Sequence, residues 1–211
     1  MKKKSKNKLI LKAFLTLAMS TLLMGTALAD YSGTGVTELT SVSSPLAEGS
    51  YYLTGDLETE TSITISSTVS IDLNGYDIKY TGDSTGNVSV ITVNSGGNLT
   101  ILDSKVEGDT ATTRYGYWSG DTYTVTTDST EPTFSDGTVV TTITGGMITG
   151  GTGAIITYNT NVQGNAGGGV YVDVGTLNLK GGNIVGNSGA VGGGVCVNNG
   201  GTITMSDDAK L

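Results

Sequence analysis

GGGVYVDVGTLNLKGGNIVGN, from Gly167 to Asn187, and GGGVCVNNGGTITM, from Gly192 to Met205, decide the fold. The two phrases start at a spacing of 25, and one extra position before the next strand brings Leu177 and Leu179 into line with Ile203 and Met205 at a spacing of 26. Upstream, ITGGMITGG from Ile143 aligns with LKGGNIVGN from Leu179 at a spacing of 36, the excess falling in 152–163, which reads as a loop. Further back, VNSGGNLTILD from Val93 aligns with VNNGGTITMSD from Val197 at 104, four times 26. The chain thus repeats with a period of 25 or 26, and a period in that range is the mark of a stacked repeat architecture.

Inside each unit the apolar residues alternate with period two. Val170, Val172 and Val174 fall on one face, Leu177 and Leu179 continue an inward row after Gly175, and Ile184 follows the paired glycines Gly181 and Gly182. The same pattern runs through Val69, Ile71 and Leu73, through Tyr76, Ile78 and Tyr80, and through Leu99 and Ile101. These rows predict short strands, about three per repeat, separated by turns of Gly, Asn, Asp and Ser. From Asp30 onward the sequence shows no helical apolar stripe of useful length. A unit of three short strands cannot bury its own apolar row; it must stack on its neighbours, each strand pairing in parallel with its equivalent one repeat later, about 4.8 Å away. The predicted fold is therefore all-β, a parallel β-helix or solenoid whose rungs have the 25–26 period of the repeat. Asn165 and Asn187, each after a Gly shortly before a valine-rich strand, are expected to satisfy turn backbone groups rather than to meet a ligand.

The GGGVYV–TLNLKGGNIVGN and GGGVCV–TITM phrases resemble the right-handed, single-stranded parallel β-helix repeats of large secreted bacterial surface proteins within the pectin-lyase-like superfamily. ISSTVSIDLNGYDI and VITVNSGGNLTILDS resemble the opening rungs that precede such repeats, so the likeness covers about residues 60–211 apart from a middle insert. It implies a right-handed coil. It says little about activity, because members include adhesins, lyases and glycosidases and a fold does not fix a function.

The resulting organisation is a signal peptide over 1–29, an N-terminal cap over 30–60, first rungs over 61–103, an aromatic-containing insert over 104–136, and GGGV-type repeats over 137–211. The leader reading rests on six lysines ahead of the apolar stretch Ala13–Met24 and on Ala27-Leu28-Ala29 as a cleavage pattern. That stretch is shorter than the ~20 residues a membrane span needs, so no span is expected after cleavage. The ending ITMSDDAKL stops within a repeat, which reads as truncation, or else as an open end prone to end-to-end self-association.

Composition removes whole classes of chemistry. The 211 residues include no His and one Cys, Cys196, so a Ser-His-Asp triad, a Cys-His pair, a His-ligated metal and an intrachain disulfide are excluded. Removing the six leader lysines leaves five basic residues against nineteen acids, a net charge near −14, which argues against nucleic acid and anionic lipid as partners. Export without paired cysteines fits a bacterial surface or extracellular protein.

The candidate motifs divide unevenly. GDSTG at 82–86 spells a nucleophile elbow but has no histidine to serve as base and lies in a turn. Asp207 and Asp208 are adjacent acids at a turn near the chain end. No rung offers clustered aspartates for calcium, and Arg114 is the only arginine, so no catalytic residue, metal or cofactor is assigned. The insert phrase RYGYWSGDTYTV places Tyr115, Tyr117, Trp118 and Tyr123 together, with Asp121 and Arg114 for hydroxyl groups; aromatic rings beside polar groups suit stacking on sugar faces. Tyr171 and Asp173, on the outward face of the GGGV strand near Cys196 and Asn198, form a second glycan-binding candidate. The expected function is a non-catalytic adhesin or envelope protein that binds host or extracellular glycans or cell-wall polymers. The alternative is a polysaccharide lyase or glycoside hydrolase whose catalytic rungs lie outside this chain.

Overall fold

A computed structural model describes residues 35–83, 85–105, 113–120, 122–126, 130–158, 161–206 and 209–211, with the backbone alone at 122, 155–158 and 161–165. The leader 1–29, Ser84 of GDSTG, Asp121, and Asp207 with Asp208 lie outside the described residues, as does the side chain of Asn165. The chain divides into Met1–Val36 and Thr37–Leu211, and every strand after β1 (Val36–Glu38) belongs to the second unit.

That unit is all-β, with no helix among the described residues. The chain visits three parallel sheets in rotation. It enters the first as β2 (Gly49–Tyr52), the second as β3 (Leu57–Thr59) and the third as β4 (Ile63–Ile65), then repeats the round with β5 (Thr68–Asp72), β6 (Ile78–Tyr80) and β7 (Ile91–Val93). After β8 (Asn98–Leu102) in the first sheet it leaves to form an antiparallel three-stranded sheet of β9 (Thr113–Ser119), β10 (Thr122–Val125) and β11 (Val140–Thr144). It rejoins the second sheet as β12 (Met147–Thr149), makes an antiparallel hairpin of β13 (Ala154–Tyr158) and β14 (Asn161–Ala166), and enters the third sheet as β15 (Val170–Asp173). A last round adds β16 (Thr176–Leu179), β17 (Asn183–Ile184), β18 (Val195–Asn198) and β19 (Thr202–Met205).

Register explains why these segments are strands. Val69, Leu99, Leu177 and Ile203 form one column of the first sheet, and Ile71, Ile101, Leu179 and Met205 the next. Leu57, Ile78, Ile148 and Ile184 line the second sheet, and Ile65, Val93, Val172 and Val197 the third. Val69, Ile71, Leu99, Ile101, Leu177 and Leu179 are all buried, so each column removes aliphatic surface from water, worth about 25 cal/mol per Å². Between β1 and β2, Leu39 and Leu46 are buried and donate their N–H groups to Tyr52 and Thr64 carbonyls at 2.9 Å each.

The spacing of 104 corresponds to two lateral steps rather than four. Asn98 pairs with Thr176 and Thr176 with Thr202, because β9–β11 and β13–β14 consume chain without adding a strand to the first sheet. The extra chain before the GGGV strand is part of the β13–β14 hairpin rather than a loop.

Val174 also departs from the inward row. Its φ is +64° and it is half exposed, since β15 ends at Asp173 and the corner takes a left-handed residue. A β-branched side chain there is strained by about 1–2 kcal/mol, whereas Asn199, one repeat later, holds the same conformation at φ +50° with a side chain that tolerates it. Val174→Asn is accordingly expected to raise stability by about 1 kcal/mol, read as a higher urea midpoint at unchanged slope; an unchanged or lower midpoint would contradict the strain.

Corners between the first and second sheets are held by carboxylates bonded to backbone. Asp72 accepts from the Asn74 and Ser104 N–H groups at 2.7 and 3.0 Å, and Asp103 from Gly75 and Gly146 at 2.7 and 2.6 Å. Burial pushes the Asp72 carboxyl above its ordinary value, against the pull of those two amides. Asn187 plays the role expected of it: Oδ1 accepts from Gly151 N–H at 3.0 Å, and Nδ2 donates to the Ile148 and Val185 carbonyls at 2.8 and 3.1 Å.

On the outer side of the first sheet the same register sets polar residues in two ranks. One is Thr68, Asn98, Thr176 and Thr202; the other is Ser70, Thr100, Asn178 and Thr204.

Candidate functional site

The insert is an antiparallel sheet, so its aromatic residues are distributed by strand alternation. Tyr123 stands directly opposite Trp118, Val125 opposite Gly116, and Ile143 opposite Arg114. Trp118 and Tyr123 therefore share one face, while Tyr115 and Tyr117 take the other. The Trp118 and Tyr123 rings meet edge to face with centroids 5.3 Å apart, and Tyr117 meets Phe134 at 4.7 Å on the opposite side. Gly116 permits the first arrangement, because a Cβ there would collide with the Tyr123 ring and hydroxyl. The single platform expected from RYGYWSGDTYTV is thus two aromatic pairs, back to back.

Arg114 does not face a ligand. It is buried, forms an ion pair with Asp77, and donates from Nη2 to the Gly145 carbonyl at 2.6 Å, leaving Nε without a partner. Asp77 in turn accepts from Met147 N–H at 2.9 Å, and its own N–H donates to Asp56 at 3.0 Å. The sole arginine ties the insert to the second parallel sheet. Its position in β9 puts it on the same face as Gly116 and Trp118, but inward of them, where no hydroxyl of a ligand reaches.

The face bearing Trp118 and Tyr123 forms one wall of a cleft of about 680 Å³. The other wall comes from β17 and the turn after it, with Asn183, Ile184 and Asn187, and from Val195 and Lys210. Trp118 is 61% exposed, so its indole is available from the cleft. Asn183 is spoken for: Nδ2 donates to the Thr144 and Gly146 carbonyls at 2.8 and 3.0 Å. Among the described lining residues Lys210 carries the one charged side chain, and none is Asp or Glu. The cleft offers an aromatic wall beside Thr141, Thr142 and Asn187, the combination of ring face and nearby polar groups by which small or chain-like ligands are stacked and oriented. Of the residues singled out in the sequence, Trp118 and Tyr123 line this cleft; Ile184 and Lys210, which local patterns do not indicate, line it as well, on the side where β17 pairs with β12 at a spacing of 36.

The second candidate lies on the third sheet. Tyr171 neighbours Cys196 and Asp173 neighbours Asn198 in register. The Tyr171 hydroxyl accepts from Asn198 Nδ2 at 2.9 Å and Asp173 from Asn199 Nδ2 at 2.6 Å. Tyr171 is buried, and burial raises its phenol pKa, so its ring does not stand free for stacking. Burial also pushes the Cys196 thiol up, away from the thiolate a reactive cysteine needs. Among the described residues no cluster of three or more acidic, Cys or His side chains is placed to hold a metal, and no helix is long and apolar enough to cross a membrane. The chain matches no family model, no curated protein and no solved structure.

Proposed function

We propose that this chain is an exported, non-catalytic right-handed parallel β-helix of a bacterial cell surface, an adhesin or envelope protein that holds glycan chains in the Trp118–Tyr123 cleft. The coil reading is supported by three parallel sheets visited in strict rotation and by aliphatic columns in register. Export is supported by the lysine-rich, apolar N-terminus with its A-x-A pattern. The pectin-lyase-like resemblance of the GGGV repeats supports an extracellular role among carbohydrates. The observation that carries the binding reading is the pairing of an exposed Trp118 with Tyr123 on the wall of a 680 Å³ cleft, because an indole face stacks on the C–H face of a sugar ring.

Trp118→Ala is expected to weaken glycan retention about tenfold, equivalent to about 1.4 kcal/mol, while the far-UV β signal stays as in the parent. Affinity electrophoresis against pectin, xylan, peptidoglycan and mucin measures it. Tyr117→Phe, on the opposite face, should leave retention unchanged. A parent chain retained by none of these polymers, or a Trp118→Ala variant retained as well as the parent, would sink the proposal.

A further inference from the structure

The two polar ranks outside the first sheet have no part in the cleft. None of their eight side chains is ionisable, in a chain whose formal net charge is −8 and whose lysines are concentrated in the leader. Five of the eight, Asn98, Thr176, Asn178, Thr202 and Thr204, bond to one another along the sheet. Asn178 Nδ2 donates to Asn98 Oδ1 at 2.9 Å, Thr204 donates to Asn178 Oδ1 at 2.9 Å, and the Thr176 and Thr202 hydroxyls bond at 3.1 Å. Asn98, Thr202 and Thr204 are nevertheless exposed.

We propose that this face is a self-recognition surface, on which the first sheets of two copies of the chain pack face to face. Three physical features favour a second copy over other occupants. Two strongly acidic molecules repel, so they approach at least cost through ranks that carry no carboxylate, Asp72 at the end of β5 being buried. On β8, β16 and β19, where Asn98, Thr176, Asn178, Thr202 and Thr204 already bond to one another, the side chains lose water with fewer donors and acceptors left unpaired. Ser, Thr and Asn are short and lie at a constant strand spacing of about 4.8 Å in both copies, so a two-fold arrangement sets each rank against its counterpart, as Asn ladders do in paired sheets. A sugar chain fits this face poorly, since neither rank offers an aromatic ring, and Asn178 Nδ2 and Asn98 Oδ1 are engaged with each other.

Sedimentation equilibrium of the full chain from micromolar to millimolar concentration is the test. The mass is expected to rise from one copy to two, and more readily in added salt, because screening relieves the net repulsion while an uncharged interface loses nothing. Asn178→Lys places like charges opposite each other at the centre of the face and should weaken association about tenfold or more. Thr204→Lys, at an exposed position on β19, should do the same and serves if Asn178→Lys does not fold. Val139→Lys, 77% exposed on the segment before β11, should leave the dimer intact. A single-copy mass at every concentration in high salt overturns the proposal, as does a dimer that survives Thr204→Lys. So does a monomer whose glycan retention is abolished by Thr204→Lys, which would make the face a carbohydrate surface instead. Trp118→Ala leaves the mass unchanged, so failure here and failure of the cleft reading are separately visible.

Discussion

Arg114→Met is expected to cost about 3–5 kcal/mol of stability. The guanidinium sits in a buried position between the insert and the second sheet, paired to Asp77 and bonded to the Gly145 carbonyl. Removing it leaves the Asp77 carboxylate in a low-dielectric corner with the Met147 N–H and no opposing charge. Burial already pushes the Asp77 carboxyl up, and Arg114 is the main influence holding it down; without Arg114 it rises further. The sign follows from linkage: a carboxyl whose folded pKa lies above its unfolded value binds its proton more tightly in the folded state. Its contribution is fully present below the unfolded value of about 3.9 and is lost as pH rises through the folded value. The Arg114→Met defect should therefore be largest near neutrality and shrink on acidification, as followed by urea midpoints across that range. Adding Asp77→Asn to Arg114→Met should recover part of the loss at neutral pH, because a neutral amide oxygen can keep the Met147 bond without a charge to solvate. An Arg114→Met loss below about 1 kcal/mol, or one independent of pH, would mean that this pair does not tie the insert down. The same variant should lower glycan retention, since Trp118 lies on the face of β9 that Arg114 anchors, one same-face position beyond Gly116.

What was legible in the sequence, and what was not, divides by the range of the interaction. Period-two rows such as Val69–Ile71 and Leu177–Leu179 are fixed by local geometry and by the need to bury one face, and the structure buries all four. Parallel pairing of β15 with β18 and of β16 with β19 could be read because GGGV occurs twice with little between. Upstream the steps are uneven: Gly49 pairs with Val69 and Val69 with Leu99, and no repeated phrase marks β2 or β3. Val174 looked like a third inward valine, since alternation gives no notice of where a strand ends; a left-handed corner does. Arg114 looked available because it adjoins aromatic residues in the chain, yet in a strand its nearest same-face neighbours are Gly116 and Ile143. Its partner Asp77 is 37 residues away, a distance that no local pattern spans. The cleft was half visible for the same reason: Trp118 and Tyr123 declare themselves by composition, whereas Ile184 and Lys210 join them only through the stacking of β17 on β12.

The two copies of the GGGV motif that carry the repeat should not tolerate mutation equally. In the first, a Cβ on Gly168 would meet the carbonyl oxygens of Ser188, Gly193 and Gly151, the last two at 2.5 and 3.0 Å. These are backbone atoms of neighbouring turns, two of them held by the Gly169 N–H to Gly193 carbonyl and Ser188 N–H to Gly151 carbonyl bonds at 3.1 and 2.9 Å, and they cannot swing aside as a side chain would. Gly168→Ala is expected to cost about 3 kcal/mol, the upper part of the usual range for overpacking. In the second copy, a Cβ on Gly193 would find its nearest atom, the Asn187 carbonyl oxygen, at 3.2 Å and the next at 3.7 Å. Neither glycine has a positive φ, so the loss of backbone freedom on changing either to Ala is the same and favours the folded chain slightly. Gly193→Ala is then expected within about 1 kcal/mol of the parent. The contrast isolates close approach from backbone freedom as the reason for glycine, and urea midpoints of the two single variants read it directly. Equal losses at the two positions would show that the middle glycine serves the motif's own conformation, and that the crowding between neighbouring turns is relieved at little cost. A loss confined to Gly168 would show that the motif is glycine-rich because turns stack on it, which is the property that makes the repeat a structural unit only in the company of its neighbours.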